Sequence, residues 1–157
     1  MIDFKLNKKM KNYYTKRLFL LCLLFMLVFN ALKAERVIRI ACVGNSITYG
    51  AGIDNRDRNS YPAQLQYYLG DGYEVRNFGS NGATAQNDGD YPYVRTGVYK
   101  ESLDFGPDIV LIKLGTNDTK PQNWNGKERF MADYQALIDA YRSLPSEPEV
   151  ILLTPVR

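Results

Sequence analysis

The sequence predicts an α/β fold: a parallel β-sheet between helices, in three α/β/α layers. Three observations carry this reading. Four segments, VIRIACVG (37–44), YEVRNFG (73–79), DIVLIKLG (108–115) and EVILLTPV (149–156), read as strands. The first is β-branched and apolar on both faces, as a strand buried in a parallel sheet is. Helical patterns alternate with the strands, and that alternation implies crossover units with helices on both faces of the sheet. The polar, glycine-bearing loops all begin at the carboxyl ends of strands, where open α/β sheets gather their functional groups.

Taken in chain order, the first element lies outside this fold. Residues 1–17 carry Lys5, Lys8, Lys9, Lys11, Lys16 and Arg17 against the single acid Asp3, and LFLLCLLFMLVF and NALKA follow. A basic region, an apolar core and a small residue form the order of a secretory signal, with cleavage expected after Ala34. The apolar core is shorter than the roughly 20 residues a spanning helix needs, which argues against a retained anchor. Leu21 before Cys22 argues against a lipoprotein, and Met10 is an alternative start. The expected organisation is a signal peptide over 1–34 and one domain over 35–157, exported to the periplasm or the exterior.

Removing this leader reverses the charge. It holds seven of the 20 basic residues and one of the 17 acidic ones, which leaves 13 against 16, a net charge of −3. The overall basicity therefore gives no reason to expect nucleic acid as a partner, and membrane contact is expected only through the signal segment during export. Cys42 alone remains, so the domain has to be held by its core without an intrachain disulfide.

Within the domain, Ser60 is placed to cap a helix over 61–69, with Tyr61, Leu65, Tyr68 and Leu69 on one face and Gly70 as its stop. Residues 83–104 read as a surface excursion with a short helix. Asn125 and Glu128 form a candidate capping box for a helix carrying Phe130, Tyr134, Leu137, Ile138 and Tyr141 at helical spacing. Pro145 and Pro148 end it. The expected strand order is 2-1-3-4. The fourth apolar strand runs almost to Arg157 with no covering helix after it, an edge that native proteins cover. Residues 35–157 are therefore expected to be the N-terminal part of a single domain.

Three strand ends carry similar polar signatures: GNSIT (44–48), NFGSNGAT (77–84) and LGTND (114–118). Singly, each is ordinary turn chemistry. Together they supply what acyl transfer needs, a hydroxyl nucleophile and donors aimed at the oxygen that becomes negative. Ser46 offers the hydroxyl and a backbone N–H. Gly82 offers a second N–H with no side chain in the way, and Asn117 offers an uncharged side-chain amide.

The ordered set GNSIT, N-x-G-x-x-G-A-T and G-T-N-D resembles the first three sequence blocks of the SGNH hydrolases, or GDSL-like esterases, over about residues 37–157. The resemblance implies a flavodoxin-like sheet, Ser46 as nucleophile, and Gly82 and Asn117 as its oxyanion donors. Asn45 stands where the family usually has Asp, a change expected to alter loop hydrogen bonding, and Asp118 is expected to fix its loop. The family's fourth block, Asp-x-x-His, supplies the base. The chain contains no histidine, so as given it is expected to be nearly inactive. The implied substrate is a short acyl ester, O-acetyl, on a carbohydrate, with no cofactor and no metal. Asp88 and Asp90 are expected to be merely solvated. Two other readings compete. A nucleotide-binding domain is disfavoured because GNSITYGAG fits neither G-x-G-x-x-G nor a phosphate loop. A non-catalytic carbohydrate-binding or degenerate member of the family remains open, with Tyr91, Tyr93 and Tyr99 serving either sugar stacking or packing.

Overall fold

The computed structural model describes residues 8–31 and 36–154, in two units, Met1–Arg36 and Val37–Arg157. In the first unit, helix α1 spans Lys8–Ala31. No helix among the described residues is long and apolar enough to cross a membrane. The expected cleavage point after Ala34 lies outside the described residues.

The second unit contains β1 (Ile38–Gly44), α2 (Ser46–Tyr49), α3 (Arg56–Asn59), α4 (Tyr61–Leu69), β2 (Tyr73–Gly79), a 3-10 turn (Tyr93–Arg95), α5 (Gly97–Asp104), β3 (Ile109–Lys113), α6 (Lys127–Arg142) and β4 (Glu149–Leu152). The strands form one parallel sheet in the order β2-β1-β3-β4, as the sequence predicts. Register fixes where the loops leave. Gly44 at the end of β1 lies opposite Gly79 of β2 and Lys113 of β3, so three loops depart from one level of one sheet edge.

Alternation along β1 divides the layers. Ala41 and Val43 join Val110 and Ile112 of β3 and Leu137, Ile138 and Tyr141 of α6 in the main core cluster. Cys42 points the other way and meets Tyr61 at the start of α4. Each fully buried aliphatic or aromatic side chain in such a core contributes about 1.5–3 kcal/mol. At the opposite end of the strands, the Arg39 N–H donates to Asp108 Oδ2 at 2.8 Å and the Arg39 guanidinium donates to the Phe105 carbonyl at 2.8 Å, pinning β1 to the chain entering β3.

Four local expectations are corrected. Tyr68 does not share the packed face of α4: it is 78% exposed, on the side of the helix turned away from β2 and α3. Ser60 stands at the N-cap of α4, but its side chain makes no capping hydrogen bond. Asn125 and Glu128 form no capping box. The N-cap of α6 is Gly126 at φ +95°, and the Asn125 N–H donates instead to Gln86 Oε1 at 3.2 Å. The segment 83–104 is no simple surface excursion either. Ala83, Thr84, Ala85, Gln86, Tyr93 and Ser102 are buried, and the Tyr93 hydroxyl donates to the Phe78 carbonyl at 2.8 Å.

Two outcomes follow from this packing. A Cβ on Gly79 would sit 2.6 Å from Tyr49 Cα and 2.7 Å from the Thr48 carbonyl carbon, whereas one on Gly72 would meet nothing within 4 Å. In urea titrations Gly79→Ala should lose about 1–3 kcal/mol through overpacking, while Gly72→Ala stays within about 0.5 kcal/mol of the parent. Equal stability of the two variants would contradict this contact. The second outcome concerns alkali. Burial pushes the Cys42 thiol up to about 12 and raises the Tyr61, Tyr93 and Tyr141 phenols as well. Each group holds its proton more tightly folded than unfolded. Its contribution is therefore complete below the unfolded value and lost as pH rises toward the folded one. Stability should fall from about pH 9 upward, by up to about 1.4 kcal/mol per pH unit for each group involved; a flat profile between about pH 9 and 11 would contradict it.

Candidate active site

Ser46 is half-buried at the first turn of α2, immediately beyond β1. Asn45 is the N-cap, 1% exposed, and its Oδ1 accepts the Ile47 N–H at 3.0 Å. An amide oxygen thus does the capping that a carboxylate oxygen can also do. From β2, Asn77 Nδ2 donates to the Thr48 carbonyl at 2.9 Å and its Oδ1 accepts the Gly79 N–H at 2.9 Å, so the end of β2 is tied to the serine turn. Among the described residues, the Ser46 and Gly82 N–H groups meet no protein acceptor.

Gly82 has φ +82°, and a Cβ there would meet nothing within 4 Å. Glycine is needed for this left-handed backbone, and the space beside it is open. Asn117 is 8% exposed, and its Nδ2 donates one hydrogen to the Ala83 carbonyl at 3.0 Å. That bond holds the Asn117 amide against the residue that follows Gly82. The sheet register and these bonds bring the Ser46, Gly82 and Asn117 loops to the same rim.

Asp118 joins two of the loops. Fully buried, its carboxylate accepts the Ala85 N–H on both oxygens at 3.0 Å and the Gln86 N–H on Oδ1 at 2.8 Å. Tyr134 approaches the same point, and burial raises its phenol, with the Leu114 backbone N–H opposing and the Asp118 charge adding.

One residue carrying this architecture went unread in the sequence. Asn123, fully buried, donates to the Asn117 carbonyl at 3.0 Å and to Asp90 Oδ1 at 2.9 Å. Its Oδ1 accepts the Asp90 N–H at 2.8 Å, and its carbonyl accepts Gln86 Nε2 at 2.6 Å. In sequence, NWNG looks like any turn, and only the long-range partners distinguish it. Asp90 is thus a hydrogen-bonded loop residue, and Asp88 lies 3.8 Å from Arg129. No group of metal-ligating side chains occurs among the described residues. Tyr93 is buried and packs against the partly buried Tyr99, with ring centroids 5.8 Å apart, whereas Tyr91 is 48% exposed. Cys42, four positions before Ser46, is no rival nucleophile: it is inaccessible, and burial keeps its thiol protonated.

Comparison with known proteins bears on the family and the fold. The chain is 45% identical over 139 residues to an acetylxylan esterase of Xylanibacter ruminicola, an alignment covering 78% of this chain and 29% of that protein. A carbohydrate acetylesterase family member from Sinorhizobium meliloti superimposes with a TM-score of 0.61 at 25% identity, over 75% of this chain and 62% of that one. A two-domain esterase active on acetylated mannans, co-crystallised with mannopentaose, shares the fold with a TM-score of 0.53 at 24% identity, over 82% of this chain and 33% of that one. The chain thus spans less than a third of the esterase to which its sequence is similar. Residues 42–157 match the GDSL-like Lipase/Acylhydrolase family, and the chain belongs to that family.

Proposed function

We propose that this chain carries the nucleophile and oxyanion hole of an exported serine esterase that removes short acyl groups, O-acetyl in particular, from carbohydrate. The observation that supports it best is the common departure level of the three loops. Gly44, Gly79 and Lys113 lie in register, and the loops beyond them hold Ser46, Gly82 and Asn117. Likeness to an acetylxylan esterase supports the acyl group and the class of substrate. The basic and apolar order of residues 1–34 supports export.

In this reading Ser46 Oγ attacks the acyl carbon and its proton passes to a base. The carbonyl π electrons move onto oxygen, which the Ser46 N–H, the Gly82 N–H and Asn117 Nδ2 then hold. Collapse expels the sugar oxygen, which takes the proton from the base and leaves as the hydroxyl; the base then takes a proton from water, whose attack releases acetate from the serine by the same steps. All three donors are neutral, so the site favours charge that develops on oxygen over charge already present in the substrate. The 157 residues contain no histidine, and the reading places the general base outside them.

The test is a chimera in which residues 36–157 replace the matching segment of the Xylanibacter esterase, so that the rest of that protein can supply the base. It should release acetate from acetylated xylan, and Ser46→Ala should lower kcat about a million-fold. The 157-residue chain alone should hydrolyse an aryl acetate no faster than its own Ser46→Ala variant. Rapid turnover by that chain, abolished by Ser46→Ala, would show that a group already within it acts as base. Turnover by the chimera that is indifferent to Ser46→Ala would remove Ser46 from the mechanism.

A further inference from the structure

We propose that Trp124 and Tyr91 form a platform for a glycan chain, on the rim that carries Ser46. The proposal rests on the esterase reading only for placing that glycan beside the reacting ester. Trp124 is the single tryptophan of the chain, and it is 47% exposed. Tyr91 is 48% exposed. Large aromatic rings left half in water are common singly, so exposure alone decides nothing. What sets these two apart is how they are held.

Each follows one partner of a reciprocal pair. The Asp90 N–H donates to Asn123 Oδ1, and Asn123 Nδ2 donates to Asp90 Oδ1, at 2.8 and 2.9 Å. Tyr91 and Trp124 are therefore spaced by the same clasp. That clasp is fastened to both proposed oxyanion loops. Asn123 Nδ2 also donates to the Asn117 carbonyl at 3.0 Å, and the Tyr91 carbonyl accepts the N–H of Thr84, two residues beyond Gly82, at 2.9 Å. Behind Trp124 stands a row of rings. Phe130 lies 5.9 Å from it and Tyr134 lies 5.4 Å from Phe130, centroid to centroid. The indole is thus backed by packed aromatics instead of folding over onto its own loop.

An aromatic ring with one face packed and one in water suits the C–H face of a pyranose, an apolar surface edged by hydroxyls. Trp124 offers such a ring, and the exposed Tyr91 beside the same clasp lengthens the surface to suit a chain of sugars better than a single residue.

Trp124 supplies its own signal. Emission from this single tryptophan, excited selectively, is followed while the full 157-residue chain is titrated with xylohexaose and, separately, mannohexaose. A saturable change is expected with at least one of them. Tyr91→Ala should weaken binding about five- to tenfold, while Tyr67→Ala, an exposed tyrosine on α4, should leave it unchanged. Calorimetry on Trp124→Ala should show a comparable or larger loss. An emission that neither hexaose alters, with circular dichroism showing the chain folded, would overturn the platform. So would equal weakening by Tyr67→Ala and Tyr91→Ala, which marks nonspecific adhesion. The chimera keeps the two readings apart. Glycan binding without ester turnover retains the platform and removes the esterase. Turnover without glycan binding does the reverse.

Discussion

The buried carboxylate of Asp118 is the constraint on which the site depends. Parallel strands bring three loops to one edge, but register cannot set the conformation of chain that has already left the sheet. Asp118 does so for two of them at once. It is anchored in the loop after β3, and it accepts the Ala85 and Gln86 N–H groups from the segment after β2. Hydrogen bonds to a charged acceptor contribute about 1.5–3 kcal/mol each, and removing the acceptor strands two buried donors. The adjacent Asn117 to Ala83 bond then has a fixed target. With no side chain of its own to steer it, the Gly82 N–H depends on its neighbours being held.

A second layer of amides extends this clasp outward. Asn123 joins the Asn117 carbonyl to Asp90, and Gln86 reaches the backbone of both Asn123 and Asn125. Each of these side chains satisfies backbone groups that no strand or helix pairs, which is what irregular buried chain requires. On the other side of the sheet edge, Asn77 and Asn45 perform the same task for the serine turn. The site is thus a set of loops held by side-chain amides and by carboxylates, Asp118 foremost among them, on a sheet whose register sets their common level.

Much of the scaffold was legible from pattern alone. The strands, their order and the limits of α4 follow from apolar runs, helical spacing and Gly70. Asp118 as a loop anchor was legible too, because a carboxylate following the third block has open backbone donors to serve. What escaped was non-local. Asn123 and Gln86 have the composition of turn and surface residues, and their burial comes from partners more than 30 positions away. The capping box at Asn125 and Glu128 failed for a related reason: Gln86 takes the Asn125 N–H, and Gly126 at positive φ begins the helix. Local signals are good guides where local energies decide, and poor ones where a distant side chain wins the same donor.

Amide hydrogen exchange of the parent and Asp118→Asn proteins, read residue by residue, tests this account most directly. An isosteric amide keeps one acceptor oxygen and loses the charge. The account predicts that the Ala85 and Gln86 amides exchange about 10- to 100-fold faster in the variant, while Val43 and Ile112 in the sheet keep their protection. Unchanged exchange at Ala85 and Gln86 would contradict it, and so would a uniform rise through the sheet, which would make Asp118 a general stabiliser and not the clasp of this site.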